Sequence, residues 1–171
     1  MSDELTSRGW ERGSGNHGSV REKRPLPGSP YLRWPLVSGL GLDVSLDAVP
    51  CARRYLREAL REWAVPGGLA GDAELIGAEL VTNAIEVTLP LQAARPDEIW
   101  PVGMRLLANR ERLVVEVWDC HPGVPIRQVA AKDAESGRGL AIVAELANRW
   151  GTRRLSAHVK AVWAELLLPT R

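Results

Sequence analysis

The chain has 171 residues, 45% of them hydrophobic and 25% charged, which suits one globular domain and leaves no room for two full cores. Lys+Arg 22 against Asp+Glu 21 gives a net charge of +1, which argues against a nucleic-acid protein held by bulk charge. Two cysteines, Cys51 and Cys120, make neither a disulfide framework nor, by themselves, a zinc site, and no apolar run approaches the ~20 residues of a membrane helix.

Residues 1–30 are rich in Gly, Ser, Arg and Pro and poor in apolar side chains, which predicts a disordered tail before a domain over 31–171. The opening stretch MSDELTSRGWERGSGNHGSV has no apolar segment of the kind a secretory leader carries, so the expectation is a soluble, cytoplasmic protein. Residues 31–37 (YLRWPLV) read as a first strand, placed at a sheet edge because Pro35 cannot donate to a ladder. Residues 38–46 read as a linker or a second extended piece. Asp47 or Ser45 can cap a helix over 49–64, with Pro50 in its first turn and Val49, Ala52, Leu56, Leu60 and Trp63 on one face. The VPGG at 65–68 is expected to end it. Asp72 then caps a second helix over 73–87, which Pro90 terminates, and 91–100 is a loop.

Two β-like runs, 101–110 and 112–120, follow as a hairpin around a turn at 109–112. Residues 121–139 form a long polar loop, of a length that usually signals function or disorder. A third helix over 139–148 leads to a final hairpin, 149–156 and 160–168. This order is satisfied by an α+β fold, a two-layer sandwich with helices on one face of a mixed, mainly antiparallel sheet.

Three short groups can carry chemistry. Glu79 and Asn83 lie four apart in ELVTNA, so both project from one side of the second helix, beside the apolar arc of Ile76, Leu80 and Ala84. Alone, they read as an ordinary polar helix face. Asp119 ends an apolar strand and Gly123 follows in a turn. A carboxylate there can accept a hydrogen bond from an exocyclic amine, and glycine lets a flat ring approach the backbone. Alone, this is a common way to begin a loop. Gly137, Arg138, Gly139 and Leu140 open the third helix, where free N–H groups and the helix dipole suit phosphate. No Gly-Lys-Ser/Thr follows, so this is not a P-loop. Cys120 reads as a small buried residue, because no basic partner is evident for a nucleophile. His121 and His158 have no ligand cluster around them in the sequence.

Taken together and in this order, the three groups resemble the GHKL-type ATPases of histidine kinases and Hsp90 chaperones, whose fold is the Bergerat sandwich. More narrowly, they resemble the bacterial anti-sigma-factor serine kinases, small stand-alone ATP-binding regulators. ELVTNA is similar to that family's N box, VEVWDCHPGVP to its first glycine box and ESGRGLAIVAELANRWG to its second. The likeness spans residues 31–169. It implies a protein that binds ATP and Mg²⁺ and acts as a protein serine/threonine kinase. Its partners would be a sigma factor, an anti-anti-sigma protein, or both, with neither nucleic acid nor membrane, and a homodimer is compatible with it. It implies Asn83 as the Mg²⁺ ligand, Glu79 as catalytic base, Asp119 as the reader of the adenine amine and Gly123 as the floor of the adenine pocket. Gly137, Arg138, Gly139 and Leu140 would hold the phosphates, and residues 124–136 would form a lid.

Three places depart from the family's wording. His121 stands where the first glycine of its DxGxG would be. Glu86 and Val87 follow the N box where a basic residue or histidine is usual. Ala161 replaces the threonine before the last strand. These departures keep open an alternative, a catalytically degenerate module of the same fold that binds a protein partner.

Overall fold

Residues 34–120 and 138–169 are described by a computed structural model. Strands β1 (Leu36–Leu42), β2 (Val102–Ala108), β3 (Arg112–Asp119), β4 (Arg149–Arg154) and β5 (Lys160–Leu167) form one sheet in the order β1-β2-β3-β5-β4. Every neighbouring pair in it is antiparallel. Helices α1 (Ala48–Glu62), α2 (Gly67–Ala94) and α3 (Arg138–Leu146) complete the α+β sandwich. The expected tail over 1–30 and the loop and lid over 121–137, including Gly123 and Gly137, lie outside the described residues.

Strand alternation makes the two layers. Leu40, Met104, Leu106, Leu113, Val115, Val117 and Leu166 point to one face of the sheet, where they meet Leu56, Leu60, Ile76, Leu80 and Val81 of the helices. Each such side chain contributes roughly 1.5–3 kcal/mol on leaving water. α2 lies across β3 and also touches β2 and β5, while α1 packs on α2 and β1, and α3 on α2 and β4.

Several expectations hold closely. α1 starts one residue before the expected 49, both hairpins form, and the first strand is at an edge, though it runs over 36–42 and not over the expected 31–37, with Pro35 just outside it. The first hairpin closes as its residues suggest, with the Asn109 side chain accepting from the N–H of Glu111 and of Arg112. Residues 38–42, read as a linker or a second extended piece, are extended and form the body of β1.

The ends of α2 correct the sequence reading. The glycines at 67 and 68 do not end α1; they begin α2, with Pro66 at its N-cap. What ends α1 is Ala64, a non-glycine residue at φ 52, after which the Val65 N–H donates to the Leu60 carbonyl at 3.0 Å. Asp72 is therefore interior to the helix and caps nothing. Nor does Pro90 terminate α2, which runs on to Ala94 and takes in residues 91–94 of the expected loop. Glu86 and Pro90 are both exposed, so the Glu86 carbonyl that loses its N–H partner faces water.

The sheet face away from the helices covers itself. Glu116 is only 1% exposed, although no helix among the described residues lies over it. Arg105 donates to one carboxylate oxygen through Nε at 3.0 Å and through Nη2; Arg153 donates to the other through Nε at 2.6 Å, with its Nη2 alongside. The Trp118 ring lies on Gly103, the Trp163 ring lies on Gly151, and the Arg105 guanidinium stands 5.9 Å from the Trp118 ring centre.

Two stability predictions follow from these contacts. Ala64→Gly relieves a left-handed alanine and is expected to raise unfolding free energy by about 0.5–1 kcal/mol. A Cβ at Gly77 would stand 2.5 Å from Cδ1 of Leu56, which is fully buried, and 3.5 Å from Cε of Met104. Gly77→Ala is therefore expected to lose about 1–2 kcal/mol net, overpacking outweighing helix propensity. Urea denaturation of each variant checks both signs.

Candidate functional site

α2 carries Glu79 and Asn83 one turn apart at the border between core and surface. Ile76, Leu80 and Ala84 around them are buried, whereas Glu79 and Asn83 are half-buried. The position is set by the amphipathic arc, which turns the apolar side of α2 onto β3 and leaves this pair at its margin.

The start of α3 lies against that pair. A Cβ built on Gly139 would fall 2.6 Å from Oε2 of Glu79 and 3.6 Å from Nδ2 of Asn83. Gly139 is itself buried. So the structure brings together two residues of the ELVTNA group and one glycine of the second glycine group. Leu140 packs its side chain against the hydrophobic core, so it anchors α3 and can offer a ligand only its backbone. Arg138 is the first residue of α3. The N–H groups of a helix's first turn have no partners within the helix, and the dipole there favours an anion.

The donor set fits a magnesium nucleotide. Nδ2 of Asn83 is buried and has no hydrogen-bond partner among the described residues. Such an orphaned amide is rare in native structures and calls for a missing partner. Turning the amide about its last torsion exchanges its nitrogen and oxygen, which offers a neutral hard oxygen to a cation. At Gly139 the space that a side chain would fill is taken by the Glu79 carboxylate, so the glycine lets that carboxylate stand beside the amide. Among the described residues no group of three His, Cys, Asp or Glu side chains forms a self-sufficient metal site.

Asp119 belongs to a second group at the end of β3. It is 3% exposed, and its Oδ1 lies 3.7 Å from Nζ of Lys160. Antiparallel register sets Lys160, the first residue of β5, directly opposite Asp119, the last of β3. The sequence reading treats Lys160 only as part of a departing family motif and misses this pairing. The signal was available in the length of the final hairpin and the alternation of β5, but only once β5 was known to lie beside β3. Cys120 follows Asp119 and is half-buried. Burial pushes its thiol up, and the Asp119 carboxylate adds to the rise. A thiol so placed stays protonated at neutral pH, as the inert reading expected.

A groove where α1 ends and α2 begins, lined by Arg57, Leu60, Val65 and Glu74, shares no residue with either group. None of the described helices is long and apolar enough to cross a membrane.

Residues 42–165 match the family model of the histidine kinase-like ATPase domain. No curated protein matches the chain.

The contact at Gly139 makes a prediction. Gly139→Ala places a methyl group where the Glu79 carboxylate stands, and that carboxylate, at the end of a flexible half-buried chain, can swing away. The expected result is a protein whose unfolding free energy changes by no more than about 1 kcal/mol. Its Glu79 carboxyl carbon should nonetheless shift in the NMR spectrum, and a thermal melt run beside that spectrum separates the two effects.

Proposed function

Because the chain belongs to the histidine kinase-like ATPase family, we propose that it binds Mg-ATP at Glu79, Asn83, Asp119 and the start of α3 and regulates a protein partner, by phosphorylating a serine or threonine or by sequestering it. The observation that carries this reading is the orphaned Asn83 amide held against Gly139 beside Glu79. An ordinary polar helix face would have its amide in water or paired. This one is buried and turned toward a helix N-terminus.

In this reading the bound magnesium nucleotide supplies an electrophilic terminal phosphate whose charge the cation offsets. Asn83 holds the cation through its amide oxygen. Glu79 accepts the proton of the attacking hydroxyl, from a protein side chain or from water. Asp119 accepts the hydrogen bond of the adenine amine, and the α3 N–H groups steady the phosphates. By resemblance, the partners are a sigma factor and an anti-anti-sigma protein that bears the acceptor serine. Glu86 is exposed, so the acidic side chain that follows the N box can remain hydrated near a polyanion.

The test is calorimetric titration of Mg-ATP. Wild type is expected to bind, and Asn83→Ala and Asp119→Asn to bind about tenfold or more weakly. Glu79→Ala is expected still to bind Mg-ATP and to transfer no phosphate. Transfer at the wild-type rate by that variant would remove Glu79 from its role. A folded wild type that binds no nucleotide would favour the degenerate docking module.

A further inference from the structure

Asp119 and Lys160 form a mostly buried ion pair at the ends of β3 and β5; their side chains are 4% and 16% exposed. A charge that loses this much water is retained only where a partner offsets the loss. The ladder fixes the partner's identity, because Asp119 and Lys160 occupy the same rung and so the same face of the sheet. Arg154 stands directly opposite Lys160 on its other side, but its Nη1 donates to the Ala157 carbonyl at 3.1 Å, which turns it into the hairpin turn. Lys160 is therefore the cation that β5 supplies to Asp119.

We propose that Lys160 is a positioning residue for base recognition, which keeps Asp119 an anionic acceptor and so makes the site prefer a 6-amino purine over a 6-oxo purine. This rests on the nucleotide-binding reading above. An ionised carboxylate has only acceptor sites. It matches the amine of adenine, and it sets oxygen against oxygen when the purine carries a 6-oxo group. A neutral carboxylic acid has one donor and one acceptor, and it accommodates a 6-oxo purine through the carbonyl and N1–H together. Binding a base removes more water from Asp119, which favours the neutral acid. The nearby ammonium opposes that tendency. At 3.7 Å the contact with Lys160 is electrostatic and lies beyond hydrogen-bond range, so what the lysine contributes to the carboxylate is charge.

The experiment is titration of wild type, Lys160→Met, Lys160→Gln and Lys160→Arg with Mg-ATP and, separately, with Mg-ITP, whose base carries the 6-oxo group. Circular dichroism confirms that each variant is folded, and Lys160→Gln serves if Lys160→Met is not. Wild type is expected to prefer ATP. Loss of the charge should weaken ATP by about tenfold and ITP by less, so the preference narrows. Lys160→Arg should restore it. A neutral variant with the wild-type ATP-to-ITP ratio would overturn the proposal, whether both affinities held or both fell, because a merely structural lysine moves the two together. If wild type binds neither nucleotide, the nucleotide reading itself fails and this proposal falls with it.

Discussion

The close approach of α2 to its neighbours is the constraint on which the site depends. At Gly77 the helix has no side chain, and Leu56 from α1 and Met104 from β2 fill the space. Ala73, Ala78 and Ala84 keep the same helix narrow where it is buried. Small residues let the helix seat deeply, and the larger Ile76, Leu80 and Val81 then fix its rotation about its own axis. Rotation decides function here. A helix turned by one residue, about 100°, would carry Glu79 and Asn83 into the core or out into water. Stability and site geometry are thus set by the same contacts.

The opposite face of the sheet shows a different solution to a similar problem. None of the described helices covers it, yet Glu116 is almost wholly removed from solvent. Two guanidinium groups occupy both its oxygens, and two tryptophan rings lie flat on Gly103 and Gly151. The rings can approach this closely because the facing positions lack a Cβ. Planar guanidinium groups suit this layer, since they pair with a carboxylate along an edge and stack on aromatic faces. The unusual count of seven tryptophans in a chain without phenylalanine is therefore partly a feature of this layer. Trp118 and Trp163 both lie on this outer face.

Much of this was legible in the sequence, and the illegible parts have definite causes. β2, β3 and β5 have strong apolar alternation or continuity and sharp turn residues, so local reading was enough. The ends of α2 were not legible, because Pro66, Gly67, Gly68 and Pro90 are helix breakers by local rule. Tertiary burial overrides that rule: Leu69, Ala70 and Ala73 dock the first turns, and exposure of Glu86 and Pro90 makes the missing hydrogen bond tolerable. Ala64 at φ 52 could not be read, since glycine is the residue expected there. Within the site, Glu79 and Asn83 were legible because helical spacing is local, and their meeting with Gly139 followed from motif order. The Asp119–Lys160 pair was not. Its partners come from strands joined through α3 and β4, and only the placement of β5 between β3 and β4 sets them on one rung.

The charges of the site argue that, under the proposed function, cation and nucleotide enter together. Glu79 stands at the start of α3, where the dipole favours an anion, so it already occupies ground a phosphate would want. A polyanion arriving alone meets that carboxylate at short range and in partly desolvated surroundings, where repulsion is strong. A cation arriving alone finds one carboxylate and one neutral amide, and no cluster of three such ligands among the described residues. Neither visit is favourable by itself. With both bound, phosphate oxygens would supply the hard ligands that the cation lacks here, and its charge would offset the repulsion between Glu79 and the phosphates. The neutrality of Asn83 is what permits this. A second negative charge at that position would favour the metal without the nucleotide and would repel the nucleotide without the metal.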